Sequence, residues 1–442
     1  MTPRQAELIE LIHKEVKPAL GCTEPIAVAL AVAKAIEILS ENCTECKSQC
    51  PLWRQTADFN IKVEVSGNIL KNGMGVGVPG TGMIGLSIAA ALGAVCGKSS
   101  YGLEVLRDLD KGSVERAKEL VKNNKVYIGI ADTDQKLYVK ATVKLGKKDE
   151  STAVIACDHD KIVETSFDGK ILSSSSTKSN SNAMEKETKD YHLTVKEIYD
   201  FANEAEFEDI KFILEDKTMN LALAEEGMSG NYGLMVGKTI KSNQDSVFGD
   251  DFMSFAMGIT AAASDARMAG CTLPAMSNSG SGNQGITVSM PVIAYAMKYD
   301  ISDEDLARAL IMSNLLAIHI KGYLSKLSAL CGCVVASTGS SCGIVFLKGG
   351  SYEQVCATIK NMIGNITGMV CDGAKVGCAM KVASGVYSAI QSAVLALDGI
   401  CVSENDGIID KDVEKTIRNL GQIGSEGMQF TDNLILKIMA CK

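Results

Sequence analysis

The hydrophobic period of this chain changes at one polar stretch, and that change limits its possible folds more than any other feature. The stretch is Ser173–Glu187, built around Ser173-Ser-Ser-Ser-Thr-Lys-Ser-Asn-Ser-Asn182, and it has too little apolar surface to fold alone. Before it, Ile61-Lys-Val-Glu-Val65 alternates apolar with polar residues, the pattern of a half-buried strand. Lys125–Ile130, Lys136–Lys144, Thr152–Cys157 and Lys161–Ser166 read as further short strands separated by polar turns. After it, from Leu193, the period is helical. A capping box at Thr194-Val-Lys-Glu197 opens that half, and helical patterns continue through Phe248–Gly270, Ser302–Leu327 and Gly385–Leu397. The class expected is α+β: an N-terminal α/β part with a small sheet over residues 1–190, and a C-terminal, mostly α-helical domain over 191–442.

Composition narrows the function. Lys plus Arg number 44 against 53 Asp plus Glu, a net charge of −9, and no basic run stands out, so nucleic acid is a poor partner. No apolar run reaches the roughly 18 residues of a membrane span, and Met1-Thr-Pro-Arg-Gln-Ala-Glu7 has no signal-peptide character. A cytoplasmic location is expected, without membrane insertion. In a reducing compartment the 15 cysteines are thiols available to metals or catalysis, not a disulfide framework.

Three stretches match G-x-G-x-x-G: Gly75/Gly77/Gly80, Gly80/Gly82/Gly85 and Gly280/Gly282/Gly285. None follows a strand closely and none leads to a second strand ending in an acid, so dinucleotide binding is disfavoured. Their backbone amides still suit a carboxylate or phosphate, and an anionic small substrate fits both loops.

Cys22 lies in Lys17-Pro-Ala-Leu-Gly-Cys-Thr-Glu-Pro25, which breaks the helical pattern Gln5–Leu39. Pro25 begins a helix that Thr23 or Glu24 could cap, placing the thiol at a helix N-terminus where the dipole favours thiolate. Such a thiolate can act as base, nucleophile or metal ligand. In the helical half, Cys331, Cys333, Cys342, Cys371 and Cys378 lie in Gly- and Cys-rich turns at Leu330–Gly343 and Met369–Cys378. Their spacing is not that of a zinc knuckle, whereas three thiolates from two turns could hold three irons of a cubane and leave the fourth open. Cys43, Cys46 and Cys50 form a tighter cluster, either a weak metal site or exposed thiols, and are left out of the mechanism. Of the four histidines, His159 and His319 have contexts compatible with substrate contact.

Gly21-Cys-Thr-Glu-Pro25, Val65-Ser-Gly-Asn-Ile-Leu-Lys-Asn-Gly73, Val78-Pro-Gly-Thr-Gly82, Ser279-Gly-Ser-Gly-Asn-Gln-Gly285, Leu327-Ser-Ala-Leu-Cys-Gly-Cys333 and Cys371-Asp-Gly-Ala-Lys375 together resemble the L-cysteine desulfidase family. That family is related to the α part of iron–sulfur L-serine dehydratases, and the match runs nearly end to end. The resemblance implies a [4Fe–4S] lyase that converts L-cysteine to sulfide, ammonia and pyruvate without pyridoxal phosphate. It places cluster ligands at Cys371 and Cys378, a third at Cys331 or Cys333 with Cys331 preferred, and a base at Cys22. Asn72, Gly80, Thr81, Gly82, Ser279, Ser281, Asn283, Gln284 and His319 are the expected substrate contacts. The expected partner is the small molecule L-cysteine, and the expected assembly a homodimer. L-serine dehydration on the same scaffold, a non-catalytic thiol or metal sensor, and a pyridoxal-phosphate lyase are the competing readings.

Overall fold

The computed structural model describes residues 1–43, 59–146, 149–175, 192–324 and 329–440. It divides into two compact units, Met1–Gly21 with His192–Lys442, and Cys22–Tyr191. The first opens with α1 (Pro3–Glu15), started by a Thr2/Gln5 capping box, and β1 (Val16–Ala19).

The Cys22–Tyr191 unit follows with α2 (Thr23–Asn42), β2 (Phe59–Val65), α3 (Gly67–Gly73), α4 (Leu86–Cys96) and α5 (Lys111–Lys122). It ends with β3 (Val126–Ile130), β4 (Tyr138–Leu145), β5 (Asp149–Ala156), β6 (Ile162–Phe167) and β7 (Lys170–Ser174). These form one six-stranded sheet in the order β3-β2-β4-β5-β6-β7, antiparallel except where β2 meets β3. The parallel pair needs a crossover, which α3, α4 and α5 supply. Alternation along β2 buries Phe59, Ile61, Val63 and Val65 on one face, where α2 and α4 complete the core. Serines 173 and 174 belong to β7 and the Ser175 N–H donates to Val163 O, so the last strand runs into the polar stretch; residues 176–187 of that stretch lie outside the described residues.

The first unit resumes with α6 (Val195–Glu204), α7 (Phe207–Ile210), α8 (Glu215–Ser229), α9 (Val236–Ser242), α10 (Phe252–Met268) and β8 (Ala275–Asn278). Then come α11 (Gly282–Tyr299), α12 (Asp303–Gly322), α13 (Gly332–Leu347), α14 (Tyr352–Ile366), α15 (Cys378–Leu397), α16 (Val413–Gln422) and α17 (Gln429–Ala440). Helices α10, α11, α12, α13 and α15 pack on one another as its core. By length and composition α15 could cross a membrane, yet here it packs against α10, α13 and α14.

The α+β class is as expected, with two local differences. The break before Cys22 holds a strand: β1 pairs antiparallel with β8, Val16 opposite Asn278 and Ala19 opposite Ala275. Pairing between residues so far apart leaves no local sequence signal, and Pro18 argues against a strand. The stretch Leu330–Gly343, expected as a turn, is helical from Gly332. Its Gly and Ser residues are packing residues rather than turn residues. A Cβ on Gly339 would stand 2.5 Å from the Ser313 carbonyl oxygen, so the glycine lets α13 lie directly against α12. Gly339→Ala is expected to destabilise the protein by about 1–3 kcal/mol through overpacking. Urea denaturation should show a lower midpoint at unchanged slope.

Candidate active site

Each unit carries one constellation. In the sheet unit, the chain enters α2 through Cys22, which is its N-cap. Neither Thr23 nor Glu24 caps the helix as anticipated, because both lie inside it. Glu24 instead accepts from the Cys22 thiol at 3.0 Å through Oε2, and from the Thr23 hydroxyl at 3.2 Å. Its Oε1 accepts from Asn72 Nδ2 at 3.1 Å, reaching across from α3. All four side chains are buried, and fully buried Lys71 adjoins Asn72 in sequence. Asn72 Oδ1 has no partner among the described residues. A thiol at the positive end of a 20-residue helix, hydrogen-bonded to a carboxylate, can pass its proton within the pair.

The loop after α3 is closed by a bridge between Gly77 and Ile84. Gly80 and Gly82 take positive φ there, and the Thr81 hydroxyl is engaged inside the loop, donating to Val78 O and accepting from Met83 N–H. Cys43 donates to Asp149 Oδ2 at 3.3 Å, while Cys46 and Cys50 lie outside the described residues.

In the helical unit, two turns meet through a Leu330–Val370 bridge. Cys331 N–H donates to Met369 O at 3.0 Å and Cys371 N–H to Ala329 O at 2.6 Å, so the two cysteines ride adjacent backbones. Cys331 is the N-cap of α13, but its side chain makes no cap bond. Cys378 is the first residue of α15. All three are half-buried and none is in a disulfide. Burial first, then the fields of Cys333, Cys371 and Cys378, push the Cys331 thiol well above its ordinary range. Burial likewise raises Cys378.

Cys333 is placed differently. Its thiol is buried between helices, donating to Lys381 O at 3.1 Å beside Ser337 Oγ at 3.5 Å, and burial pushes it up to about 11. Lys381 donates to Val370 O at 2.7 Å and to Asp372 Oδ1 at 2.6 Å, and Lys375 pairs with the same carboxylate. Burial works to raise Asp372, but the two lysines outweigh it and hold the carboxyl well below its usual range.

Among the described residues no three His, Cys, Asp or Glu side chains close around a point as a single metal ion requires. A cubane asks for something else, one thiolate per iron corner with its ligands spread apart. Three thiols whose ionised forms would repel one another, with two ammonium groups beside them, match that donor chemistry, because the lysines offset the negative charge of a thiolate-bound cluster.

The Ser279–Gly285 loop leads into α11 in the same unit. Ser279 sits at φ 48° and donates to Asn278 Oδ1; Ser281 caps the helix through Gln284 N–H. Gln284 Nε2 donates to Asn278 Oδ1 at 2.9 Å, Asn278 Nδ2 to Asn314 Oδ1 at 2.9 Å, and Asn314 Nδ2 to Asp216 Oδ2 at 3.0 Å. Asn314 and Asn278 also donate to the carbonyls of Leu310 and Asn314, acceptors that cannot reverse. The chain therefore has one polarity, and Gln284 Oε1 ends it as a buried acceptor without a protein partner among the described residues, beside Gly332. Burial pushes Asp216, at the far end, up to about 7. His319 lies elsewhere in the unit, its Nε2 2.8 Å from Glu414 Oε2.

Lys381, Arg267 and the Asp216–Asn314–Asn278 chain carry no reading from sequence, and Glu24 is expected only as a possible helix cap. Lys381 follows the motif cysteine Cys378 closely enough to be noticed. Arg267, in Ala261-Ala-Ala-Ser-Asp-Ala-Arg-Met268, is signalled only by a charge, two residues after Asp265, near the end of a mostly apolar helix.

The fold is that of an α+β protein, with Cys331, Cys371 and Cys378 on neighbouring turns of its helical unit. The family model for the serine dehydratase alpha chain matches residues 100–437, and the chain belongs to that family. It is 48% identical over 443 residues to a UPF0597 protein of Phocaeicola vulgatus, covering 100% of this chain and 98% of the relative. A UPF0597 protein of Oleidesulfovibrio alaskensis is 48% identical over 100% of this chain and 99% of its own length. One from Shewanella halifaxensis is 46% identical over 98% of each.

Proposed function

We propose that this protein is a carbon–sulfur lyase that splits L-cysteine into sulfide, ammonia and pyruvate with a [4Fe–4S] cluster. The observation that carries the reading is the set Cys331, Cys371 and Cys378 on two bridged turns, flanked by Lys375 and Lys381. Those three cysteines would hold the cluster. When bound, it supplies a thiophilic Lewis acid that makes the β-sulfur a better leaving group.

The chain's own residues manage the proton. Cys22 and Glu24 share one proton across their 3.0 Å contact; with that proton on Glu24, Cys22 is a thiolate. The thiolate takes the Cα proton of the substrate, the Cα–H electron pair becomes the Cα=Cβ bond, and the Cβ–S pair leaves with the sulfur as HS⁻. Asn72 and Thr23 hold Glu24 for this exchange. The product, 2-aminoacrylate, tautomerises and takes up water to give pyruvate and ammonia. Gln284 Oε1, a fixed acceptor, suits the substrate ammonium.

The test is sulfide release from L-cysteine by anaerobically purified protein, run beside L-serine, with iron and acid-labile sulfide measured on the same sample. Sulfide with about four irons per chain is expected. The family description favours one second reading, L-serine dehydration. Pyruvate from serine alone would establish that reading; iron-free protein without turnover on either substrate would end both.

A further inference from the structure

Arg267 is buried, at 4% exposure, near the C-terminal end of α10. A guanidinium taken out of water normally has a carboxylate beside it, because an unpaired buried charge is costly. Among the described residues Arg267 has no ion-pair partner. Its Nη2 donates to Gly21 O at 2.9 Å, and its Nη1 contacts Asn283 Oδ1 at 3.3 Å and Met268 Sδ at 3.4 Å, all neutral. Asp265, the acid nearest in sequence, accepts from Gly237 N–H instead. Arg267 Nε has no hydrogen-bond partner among the described residues.

That nitrogen lies against the first residue of α11. A Cβ on Gly282 would stand 2.2 Å from Nε and 2.6 Å from Cζ, so only glycine lets the guanidinium lie against the helix start. Within the first turn, Ser281 Oγ takes the Gln284 N–H and Ser281 O takes the Gly285 N–H. The amides of Gly282 and Asn283 point the same way as any helix start, toward an anion. An 18-residue helix dipole and an unneutralised guanidinium thus converge on one spot.

We propose that Arg267 and the N-terminus of α11 form an anion site for a single carboxylate, and that it holds the α-carboxylate of the amino-acid substrate. One fixed positive charge matches a monoanion better than a phosphate dianion, and a forked donor beside backbone amides suits two coplanar oxygens. The assignment to the substrate rests on the lyase reading above; the carboxylate site itself does not. Arg267 is here a binding residue that lowers the cost of engaging substrate, with no part in proton transfer.

The test compares L-alanine, which has the carboxylate but no leaving group, with ethylamine, which has neither. L-alanine is expected to raise the melting temperature of the full chain and ethylamine to leave it unchanged. Arg267→Gln should abolish the L-alanine effect without lowering the melting temperature of the ligand-free protein, since it removes an unpaired charge. In the iron-loaded enzyme KM for L-cysteine should rise about 100-fold or more, with iron content unchanged. Gly282→Ala, which keeps the charge but displaces the guanidinium, should also abolish the shift and carries the test if Arg267→Gln does not fold. An equal L-alanine shift in wild type and both variants would overturn the proposal, as would a melting temperature lowered with KM unchanged, the sign of a purely structural arginine. Arginine-dependent L-alanine binding without cysteine cleavage would keep the carboxylate site and remove the lyase reading; cleavage at unchanged KM in Arg267→Gln would do the reverse.

Discussion

Cys22→Ser is expected to keep its iron and visible absorbance while turnover falls by about 10²–10⁴-fold, the range a positioned general base supplies. The hydroxyl fits the same N-cap position and can donate to Glu24, so the fold and the Glu24–Asn72 contact survive. What disappears is acidity, because a serine hydroxyl ionises far less readily than a thiol. Glu24→Gln provides the companion measurement. The amide can still bond to Cys22 but cannot take its proton, so turnover should fall. If Cys22→Ser lost iron together with activity, Cys22 would be a cluster ligand and its role as base would be wrong.

How far this arrangement could be read in advance depended on whether its parts were local. The alternation in Ile61–Val65 and the polar stretch from Ser173 are local, and they led to the small sheet and the helical half directly. Motif cysteines were legible for the same reason, since each stands in a short glycine-rich string. Residues that act through tertiary contact left almost no trace. The partnership of Asn72 with Glu24 spans 48 positions, and that of Asp216 with Asn314 spans 98. β1 has no strand pattern and exists only because β8 lies beside it. Helix α13 was misread for a complementary reason. Gly and Ser are turn residues when solvated and packing residues when helices must approach closely, and sequence does not say which applies.

Replacing Cys331, Cys371 or Cys378 singly with serine is expected to lower iron from about four to below one per chain and abolish turnover, whereas Cys333→Ser keeps both. The two cysteines of Cys331-Gly-Cys333 are held in different surroundings. Cys331 ends the bridged backbone that also carries Cys371, and its side chain takes no part in capping α13. Cys333 lies two residues on, inside the first turn, with its sulfur against Lys381 O and Ser337 Oγ. A Cβ on Gly385 would stand 2.5 Å from that sulfur, so α15 covers it and leaves no room for an iron there. Ser is nearly isosteric and can donate to the same carbonyl, so Cys333→Ser should cost only about 1 kcal/mol in stability. Lys381→Met separates charge from ligation: it removes the ammonium beside Asp372 and leaves all three thiols, so iron binding should weaken without being lost. Iron analysis and visible absorbance on anaerobically purified variants decide the matter. Retention of the cluster in Cys331→Ser with its loss in Cys333→Ser would exchange the two roles, and would require α13 to unwind by a turn before the cluster could bind.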